Sequence, residues 1–324
     1  MKRIIAIVAG GDSSEFEVSL RSAEGIYGFL DKDKYEVFIV EFRGADWRVN
    51  YQGELLSVDK NDFSFLYQGR KIKFDYAYIT IHGTPGEDGK VQGYFDMLKI
   101  PYSTCGVLQA AMTFDKFVCS QYLKSFGFTF AESILVREGD KITARDIEEK
   151  IGFPCFIKPN YSGSSFGVTR VDSSSQVDAA IEKAKKEGGS VLIESFIDGT
   201  EVTCGCYKVR GEITPLPITE VVTMNDFFDY DAKYNGEVEE ITPARISNEL
   251  TERVQKITTA IYNILGCSGI IRADYIITKE NVITLLEVNT TPGMTKTSFI
   301  PQQVAAAGIQ MKDLLTAIIE EQFQ

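Results

Sequence analysis

The sequence predicts an α/β protein of two or three domains. Three observations support this prediction. The chain of 324 residues is long enough to bury more than one hydrophobic core. Near its start, β-branched runs alternate with an amphipathic helix, which is typical of a doubly wound parallel sheet. Near its end, two alternating apolar runs flank a short polar turn, which predicts a β-hairpin.

The composition excludes several classes of protein. Hydrophobic residues make up 44% of the chain and charged residues 25%, as in an ordinary globular protein. The net charge is −12 and the chain has no basic run, so nucleic acid and membrane surfaces are poor candidate partners. No apolar run is long enough to span a membrane. Six scattered cysteines favour reduced thiols in a cytoplasm, and a zinc site is not expected because His82 is the only histidine.

The N-terminal elements begin with a strand at residues 4–9. This start is similar to a signal peptide, but its apolar core is short and no cleavage site follows, so we interpret it as a buried strand. Further strands are predicted at residues 35–42 and 75–81. The helix after the first strand has one apolar face, formed by Leu20, Ala23, Ile26 and Leu30.

Two loops leave the carboxyl ends of the predicted parallel strands, where sheets of this type bind ligands. Loop 10–15 carries Glu15, and loop 82–89 begins with His82. Neither contains G-x-G-x-x-G, so a nicotinamide fingerprint is absent. Glu15 either favours a helix dipole or contacts a small substrate. His82 is either a hydrogen-bonded structural histidine or a second contact to that substrate.

The middle of the chain carries two candidate phosphate-binding lysines. Residues 104–130 are predicted to form one helix that contains Lys116, for which a surface position is the alternative. The strand at 153–158 ends in Lys158 and precedes the Gly/Ser-rich loop 162–167. A lysine at a strand end beside such a loop is typical of phosphate binding, although this is not a Walker loop and a flexible linker is the alternative.

The stretch 223–245 is polar, aromatic and rich in turn residues, which predicts a functional or disordered loop. Helix and strand periodicities predict the remaining elements. These are a helix at 173–188, a strand at 191–194, a hinge at 195–199, a strand at 201–209, an amphipathic helix at 248–265 ended by Gly266, and a terminal helix from about Met311 to Phe323.

The predicted hairpin brings four polar side chains to one face. A turn centred between residues 280 and 281 places Asp274 opposite Glu287 and Arg272 opposite Asn289. Opposed carboxylates repel, but Mg²⁺ accepts carboxylate and amide oxygens as ligands and would remove the conflict. Arg272 could hold a phosphate or a developing oxyanion. An exposed hairpin with a charged face is the alternative.

Nine short motifs follow one another along almost the whole chain. They are Gly10-Gly11 with Ser14-Glu15, His82-Gly83 with Gly86-Glu87-Asp88-Gly89, Asp115-Lys116, Ile157-Lys158-Pro159, Gly163-Ser164-Ser165, Glu201, Ala232-Lys233-Tyr234, Arg272-Ala273-Asp274, and Glu287-Val288-Asn289-Thr290 with Pro292-Gly293-Met294-Thr295. Together they resemble the D-alanine–D-alanine ligase family of the ATP-grasp superfamily.

The resemblance implies an ATP-grasp fold with three domains. These are an N-terminal α/β substrate-binding domain at 1–103, a central lid domain at 104–197 and a C-terminal catalytic domain at 198–324. ATP would lie between the last two domains, and family analogy implies a homodimer.

The resemblance also implies a role for each site residue. The implied ATP-binding residues are Lys116, Lys158, Ser164, Glu194, Ser195, Phe196, Ile197, Glu201 and Lys233. The implied ligands of two Mg²⁺ ions, for which Mn²⁺ is a possible substitute, are Asp274, Glu287 and Asn289. The implied substrate-binding residues are Glu15, His82, Arg272, Gly293 and Ser298, and the implied catalytic residues are Glu15, Ser164, Tyr234, Arg272 and Ser298.

The implied reaction is the ATP-dependent joining of two D-alanines through an acyl phosphate. A hydrogen-bonded link of Glu15, Ser164 and Tyr234 would close the loops and exclude water. One alternative is a ligase that makes D-alanyl-D-lactate, against which Tyr234 argues. A second is an ATP-binding protein without catalysis, against which the presence of Arg272 and all three metal ligands argues. Departures from the family pattern at Phe166 and at 297–299 leave subsite detail open.

Overall fold

Three β-sheets organise the chain in the computed structural model, which describes residues 2–163, 166–223 and 238–324. The first sheet has the order β6-β5-β4-β3-β2-β1-β7. Its strands are β1 (Arg3–Gly10), β2 (Tyr35–Arg43), β3 (Asp46–Tyr51), β4 (Glu54–Asp59), β5 (Ser64–Tyr67), β6 (Arg70–Lys73) and β7 (Tyr76–Ile79). Helices α1 (Phe16–Phe29) and α2 (Lys90–Leu98) belong to the same part of the chain.

The predicted parallel sheet is confirmed for β1, β2 and β7. An antiparallel extension from β3 to β6 adds four strands that the sequence analysis did not predict. These strands are short, and β4 buries only Val58 of its six residues, so their apolar signal is weak.

The predicted single helix at 104–130 is wrong, because two helices occupy this range. They are α3 (Val107–Phe114) and α4 (Lys116–Lys124). Asp115 between them has extended dihedral angles, and its carboxylate accepts a hydrogen bond of 2.9 Å from the backbone N–H of Val118. An aspartate that caps the following helix thereby interrupts the run. The break makes Lys116 the first residue of α4.

The second sheet is antiparallel throughout and has the order β10-β9-β11-β8. Helices α5 and α6 belong to this part of the chain, and a short 3₁₀ turn at Ser174–Gln176 precedes α6. The bounds are β8 (Ser133–Val136), α5 (Ala144–Lys150), β9 (Cys155–Pro159), β10 (Thr169–Val171), α6 (Val177–Gly188) and β11 (Val191–Ser195).

The third sheet has the path β15-β14-β12-β16-β17, and β13 pairs with β12. Its strands are β12 (Thr200–Val209), β13 (Glu212–Pro215), β14 (Thr219–Thr223), β15 (Val238–Ile241), β16 (Ile270–Ile277) and β17 (Ile283–Asn289). The helices of this part are α7 (Asn248–Leu265), α8 (Phe299–Ala306) and α9 (Met311–Glu321).

Helix α7 has the predicted bounds and ends at Gly266, whose φ is +65°. The prediction of an irregular stretch at 223–245 is wrong for residues 238–241, because these form β15. Residues 224–237 lie outside the described residues.

Two of the hydrophobic cores connect parts of the chain that are far apart in sequence. Ile5 and Ile7 of β1 share one core with Met294 and Leu315. Leu123 of α4 shares another with residues of the third sheet. The predicted domain boundaries at 103/104 and 197/198 stay predictions. No helix in the described ranges combines the length and apolar character needed to cross a membrane.

Candidate active site

The centre of the candidate site is the antiparallel pair β16 and β17. Asp274 lies directly opposite Glu287, and Arg272 lies opposite Asn289, as the sequence predicts. The ladder shifts by one residue between Asp274 and Tyr275. The turn is therefore not centred between residues 280 and 281. Because of this β-bulge, the four site residues nevertheless pair as they would with a turn centred there. The four polar side chains therefore share one face of the hairpin.

Cations neutralise the two opposed carboxylates. Arg272 makes a bidentate ion pair with Asp274, with Nε–Oδ1 and Nη2–Oδ2 distances of 2.8 and 2.7 Å. The hydroxyl of Thr203 donates a third bond of 2.6 Å to Asp274 Oδ1. Burial by itself lowers the pKa of Arg272, but Asp274 and Glu287 raise it above the usual value. The guanidinium is thus fixed in its charged state.

Lys116 joins the loop 162–163 to the hairpin. Its ammonium lies 3.1 Å from Glu287 Oε2 and donates a hydrogen bond of 2.7 Å to the carbonyl oxygen of Ser162. Burial by itself raises the pKa of Glu287, but Lys116, Arg272 and Lys158 outweigh it and lower the pKa to about 2. Glu287 is therefore ionised at every physiological pH.

Lys158 forms a second buried ion pair next to the first. Its ammonium lies 2.5 Å from Glu194 Oε2, and both side chains are almost buried. Lys158 pairs with Leu192 across β9 and β11, so Glu194, two residues further on, points to the same face. A candidate phosphate-binding lysine and a candidate adenine-binding carboxylate are therefore adjacent.

Hydrogen bonds to the start of α4 hold the chain before the Gly/Ser-rich loop. The side chain of Asn160 accepts a bond of 2.9 Å from the N–H of Phe117 and donates one of 2.8 Å to Asp115. The hydroxyl of Tyr161 donates to the same carboxylate at 2.8 Å. Lys116 thus has a fixed position relative to residues 160–163.

Glu15 is buried immediately before α1. A Cβ atom on Gly163 would lie 2.6 Å from Glu15 Oε2, so the backbone of the Gly/Ser-rich loop at this residue is in direct contact with the carboxylate. A larger residue at position 163 would have to displace the Glu15 side chain.

Glu87 is a second buried acid in this region. Its carboxylate accepts a hydrogen bond of 2.7 Å from the backbone N–H of Gly83. Burial and the nearby charge of Glu15 raise the pKa of Glu87 to about 8. At neutral pH this group therefore holds a proton for most of the time, unlike Glu287.

His82 follows β7 and is 5% exposed. Its Nε2 atom lies 3.2 Å from the hydroxyl oxygen of Ser22 on α1. Its carbonyl oxygen accepts a hydrogen bond of 2.7 Å from the hydroxyl of Ser13 in the loop that carries Glu15. The two predicted ligand loops are therefore joined directly.

Gly293 and Ser298 come together in the turn between β17 and α8. A Cβ atom on Gly293 would lie 3.1 Å from Ser298 Oγ. Ser298 precedes α8, and its hydroxyl oxygen accepts a bond of 3.1 Å from the N–H of Thr295. The side-chain oxygen of Asn289 accepts a bond of 2.9 Å from the N–H of Thr291.

The predicted hinge at 195–199 connects the second and third sheets. The N–H of Ser195 donates to the carbonyl oxygen of Glu132 at 2.9 Å, and the N–H of Phe196 donates to that of Pro154 at 3.3 Å. Ile197 and Glu201 are half-buried just after these contacts. Ser195, Phe196 and Ile197 thus connect Glu194 to β12, which contains Glu201.

Three predicted site residues, Ser164, Lys233 and Tyr234, lie outside the described residues. The structure describes the other predicted residues and brings several of them to two neighbouring places. Asp274, Glu287, Lys116 and Arg272 meet at the hairpin, whereas Glu15 and His82 meet at the carboxyl ends of β1 and β7.

Sequence reasoning missed four residues of the site: Ser22, Glu87, Asn160 and Thr203. Ser22 and Thr203 are small hydroxyl residues inside a helix and a strand, and the sequence gives no signal for them. Glu87 belongs to one of the nine motifs. The available signal was its position four residues after Gly83, whose backbone N–H donates a hydrogen bond to it.

The arrangement combines buried lysines, a fixed guanidinium, paired carboxylates and a glycine-rich loop. Such a set can hold a nucleoside triphosphate and stabilise negative charge on a transferring phosphoryl group. Together with the three sheets, it defines a ligase of the ATP-grasp class, which uses ATP.

Comparison with known proteins identifies the family. The D-ala D-ala ligase N-terminus model matches residues 4–105, and the D-ala D-ala ligase C-terminus model matches residues 122–320. The chain belongs to the D-alanine–D-alanine ligase family. It is 65% identical to a D-alanine–D-alanine ligase of Bacteroides fragilis over the full length of both chains.

Solved structures agree with this assignment. The VanG D-Ala:D-Ser ligase from Enterococcus faecalis has a TM-score of 0.87 and 32% identity, covering 99% of this chain and 100% of that one. The D-alanine–D-alanine ligase of Bacillus anthracis in complex with ATP has a TM-score of 0.78 and 29% identity, covering 99% of this chain and 97% of that one.

Proposed function

We propose that this chain joins two D-alanine molecules to D-alanyl-D-alanine for peptidoglycan precursor synthesis and releases ADP and phosphate. One observation carries the proposal. The Lys116–Glu287 and Arg272–Asp274 ion pairs bring two cations and two carboxylates together at one face of the hairpin, which supports phosphate binding by the cations and metal binding by the carboxylates. The full-length identity of 65% to a D-alanine–D-alanine ligase supports the choice of substrate.

The first step activates a carboxylate. The γ-phosphoryl group of ATP moves to a carboxylate oxygen of the first D-alanine, and ADP leaves. The buried Glu15 pairs with the ammonium group of this D-alanine, and His82 lies near its carboxylate. Lys116 and Lys158 bind the phosphates. In the structure each of these lysines already contacts a carboxylate, so ATP binding exchanges one anionic partner for another.

The second step forms the peptide bond. The amine of the second D-alanine, after losing a proton, attacks the acyl carbon, and the C–O bond to phosphate breaks. Arg272 and the N–H of Gly293 stabilise the tetrahedral oxyanion. Ser298, next to Gly293, binds the carboxylate of the second D-alanine. The link of Glu15, Ser164 and Tyr234 holds the loops closed, so that water does not hydrolyse the acyl phosphate.

The adenosine part of ATP binds on the side of the site that is formed by the hinge at 195–199. Glu194, Ser195, Phe196 and Ile197 contact the adenine, and Glu201 contacts the ribose. Lys233 also binds the nucleotide. Phe196 is half-buried and closely follows Glu194, which pairs with Lys158, and this supports the assignment, since a flat base needs an apolar surface and a few polar groups.

Asp274, Glu287 and Asn289 hold Mg²⁺, and Mn²⁺ is a possible substitute. Within the described ranges, no three His, Cys, Asp or Glu side chains cluster as a metal site by themselves. The donor set nevertheless fits, because two carboxylates and an amide oxygen are hard ligands that leave positions for phosphate and water. When bound, two Mg²⁺ ions neutralise charge on the phosphates of ATP. In the structure, Arg272 and Lys116 neutralise the negative charges of Asp274 and Glu287.

Three further proposals concern the whole chain. Family resemblance supports a homodimer, which light scattering after size exclusion tests. The six cysteines are all free and buried, which supports a cytoplasmic location. The domain ranges 1–103, 104–197 and 198–324 are tested by limited proteolysis, with cleavage expected near the two boundaries.

The test of function is phosphate release from ATP with Mg²⁺, with products identified by mass spectrometry. The amino acids supplied are D-alanine alone, L-alanine alone, or D-alanine with D-serine or D-lactate. Release with D-alanine alone, matched by D-alanyl-D-alanine, supports the proposal. A mixed product formed in preference to the dipeptide identifies a sister ligase. ATP binding with no release under any condition identifies a protein without catalysis.

A further inference from the structure

Ser22 is a fully buried residue of α1 whose hydroxyl meets two other parts of the site. Its Oγ atom lies 3.2 Å from Nε2 of His82 and 3.5 Å from the backbone nitrogen of Met294. Met294 directly follows Gly293. A single hydroxyl therefore connects the helix, the loop after β7 and the turn between β17 and α8.

The contact between α1 and this turn is fixed by close backbone packing. A Cβ atom on Gly25 would lie 2.3 Å from the carbonyl oxygen of Met294. Gly25 is three residues after Ser22, so both face the turn from the same side of the helix. Because backbone meets backbone here, a change of side-chain rotamer cannot alter the separation between Ser22 and the turn.

The hydrogen-bond donors and acceptors determine which ring nitrogen of His82 carries the proton. The N–H of Met294 can only donate, so Ser22 Oγ accepts there. In the part of the chain that the structure describes, the acceptor offered to the Ser22 hydroxyl proton is His82 Nε2. The hydroxyl then donates to Nε2, and the ring proton resides on Nδ1. A proton on Nε2 would leave the buried hydroxyl without an acceptor, which is costly.

We propose that Ser22 is a positioning residue that holds His82 in its neutral Nδ1–H form and couples the ring to the turn carrying Gly293. Ser22 acts through these two groups and does not contact substrate. Its effect on catalysis rests on the proposed function. The tautomer of His82 does not, because it follows from contacts within the chain.

The single histidine makes a direct test possible. Labelling histidine with ¹⁵N gives one pair of ring-nitrogen signals for the whole protein, because the chain contains no other histidine. The untagged full-length protein is measured near neutral pH as wild type, Ser22→Ala, Ser22→Cys and Ser64→Ala. Ser64 is the matched control, since it is also fully buried and its hydroxyl donates one bond of 2.6 Å, to Asp62 in the turn between β4 and β5.

The expected wild-type spectrum shows Nδ1 protonated and Nε2 unprotonated. Ser22→Ala should give a mixture of tautomers, and kcat/KM for D-alanine should fall about 5- to 10-fold, as expected for one lost hydrogen bond. Ser64→Ala should change neither. Cysteine is close in size and a weak donor, so Ser22→Cys should be intermediate and gives an answer if the alanine variant does not fold.

Two results would overturn the proposal. One is a protonated Nε2 in the wild type. The other is a wild-type spectrum and wild-type kcat/KM in a folded Ser22→Ala or Ser22→Cys variant. If the wild type shows the expected tautomer but does not join D-alanines, the proposed function fails and the assignment of Ser22 stands.

Discussion

Replacing Asp274 with asparagine separates two views of the hairpin. If Asp274 serves only as a metal ligand, it faces Glu287 when no metal is bound, and removing its charge relieves repulsion and stabilises the fold. The structure instead gives Asp274 a bidentate bond from Arg272 and a third bond from Thr203. Removing the charge then leaves a buried guanidinium with a weaker partner.

The size of the effect follows from these contacts. Breaking a buried ion pair by removing one partner costs about 3–5 kcal/mol. Asparagine keeps one acceptor oxygen, and Glu287 lies 3.9 Å from the guanidinium. We therefore expect Asp274→Asn to lower the free energy of unfolding by about 3 kcal/mol, the lower end of the range. If the whole chain unfolds together, its Tm falls by about 4 °C.

The assay is urea and thermal unfolding at pH 7 without nucleotide or metal. Asp198→Asn is the control, because Asp198 also pairs with a cation, Lys279, at 2.6 Å but on the exposed surface. That variant should unfold like the wild type. An Asp274→Asn protein as stable as the wild type, or more stable, would refute the view that Arg272 stabilises Asp274 when nucleotide and metal are not bound.

Three further predictions concern other parts of the site. Glu287→Gln should abolish turnover, by about 10³-fold or more, with unchanged circular dichroism; full phosphate release at ordinary Mg²⁺ would contradict the metal assignment. Gly25→Ala should destabilise the protein by about 1–3 kcal/mol, because the added Cβ would clash with the backbone of Met294. In the control Gly28→Ala, on the same helix, the added Cβ meets nothing within 4 Å and should stabilise the protein by about 0.5–1 kcal/mol. Equal Tm values for the two variants would show that the turn moves away freely. Burial and Glu15 raise the pKa of Glu87 from 4.5 to about 8, so the folded state keeps a proton that the unfolded chain loses, and stability falls as pH rises between these values. Glu87→Gln removes this loss. In denaturation curves, the free energy of unfolding of this variant relative to the wild type should increase between pH 4.5 and about pH 8, by an amount on the order of a few kcal/mol. The same pH dependence in both proteins would contradict the prediction.

The sequence predicted the hairpin well because two constraints acted together. Alternation fixes which side chains share a face, and the short polar turn fixes the register to within one residue. The β-bulge after Asp274 could not be predicted, since an extra residue changes no local pattern. The same holds for the ion pair of Lys158 with Glu194, which depends on how two strands distant in sequence align.

Some elements escaped prediction for other physical reasons. The apolar periodicity at 104–130 continues through Asp115, so the helix break depends on one capping side chain. Ser22 is buried on the apolar face of α1, where a serine differs little from alanine in pattern. Its importance appears only when His82 and Met294, far away in the chain, are placed beside it.

The pairing of charges within the candidate site also affects how fast ATP associates with it. Lys116, Lys158 and Arg272 are matched by Glu287, Glu194 and Asp274, so this patch has almost no net charge of its own. The rest of the chain is acidic, with a total of −12. Such a surface does not attract a polyanion from a distance and weakly repels it. The bimolecular association rate of nucleotide should therefore rise slightly, and not fall, as added salt screens the acidic surface.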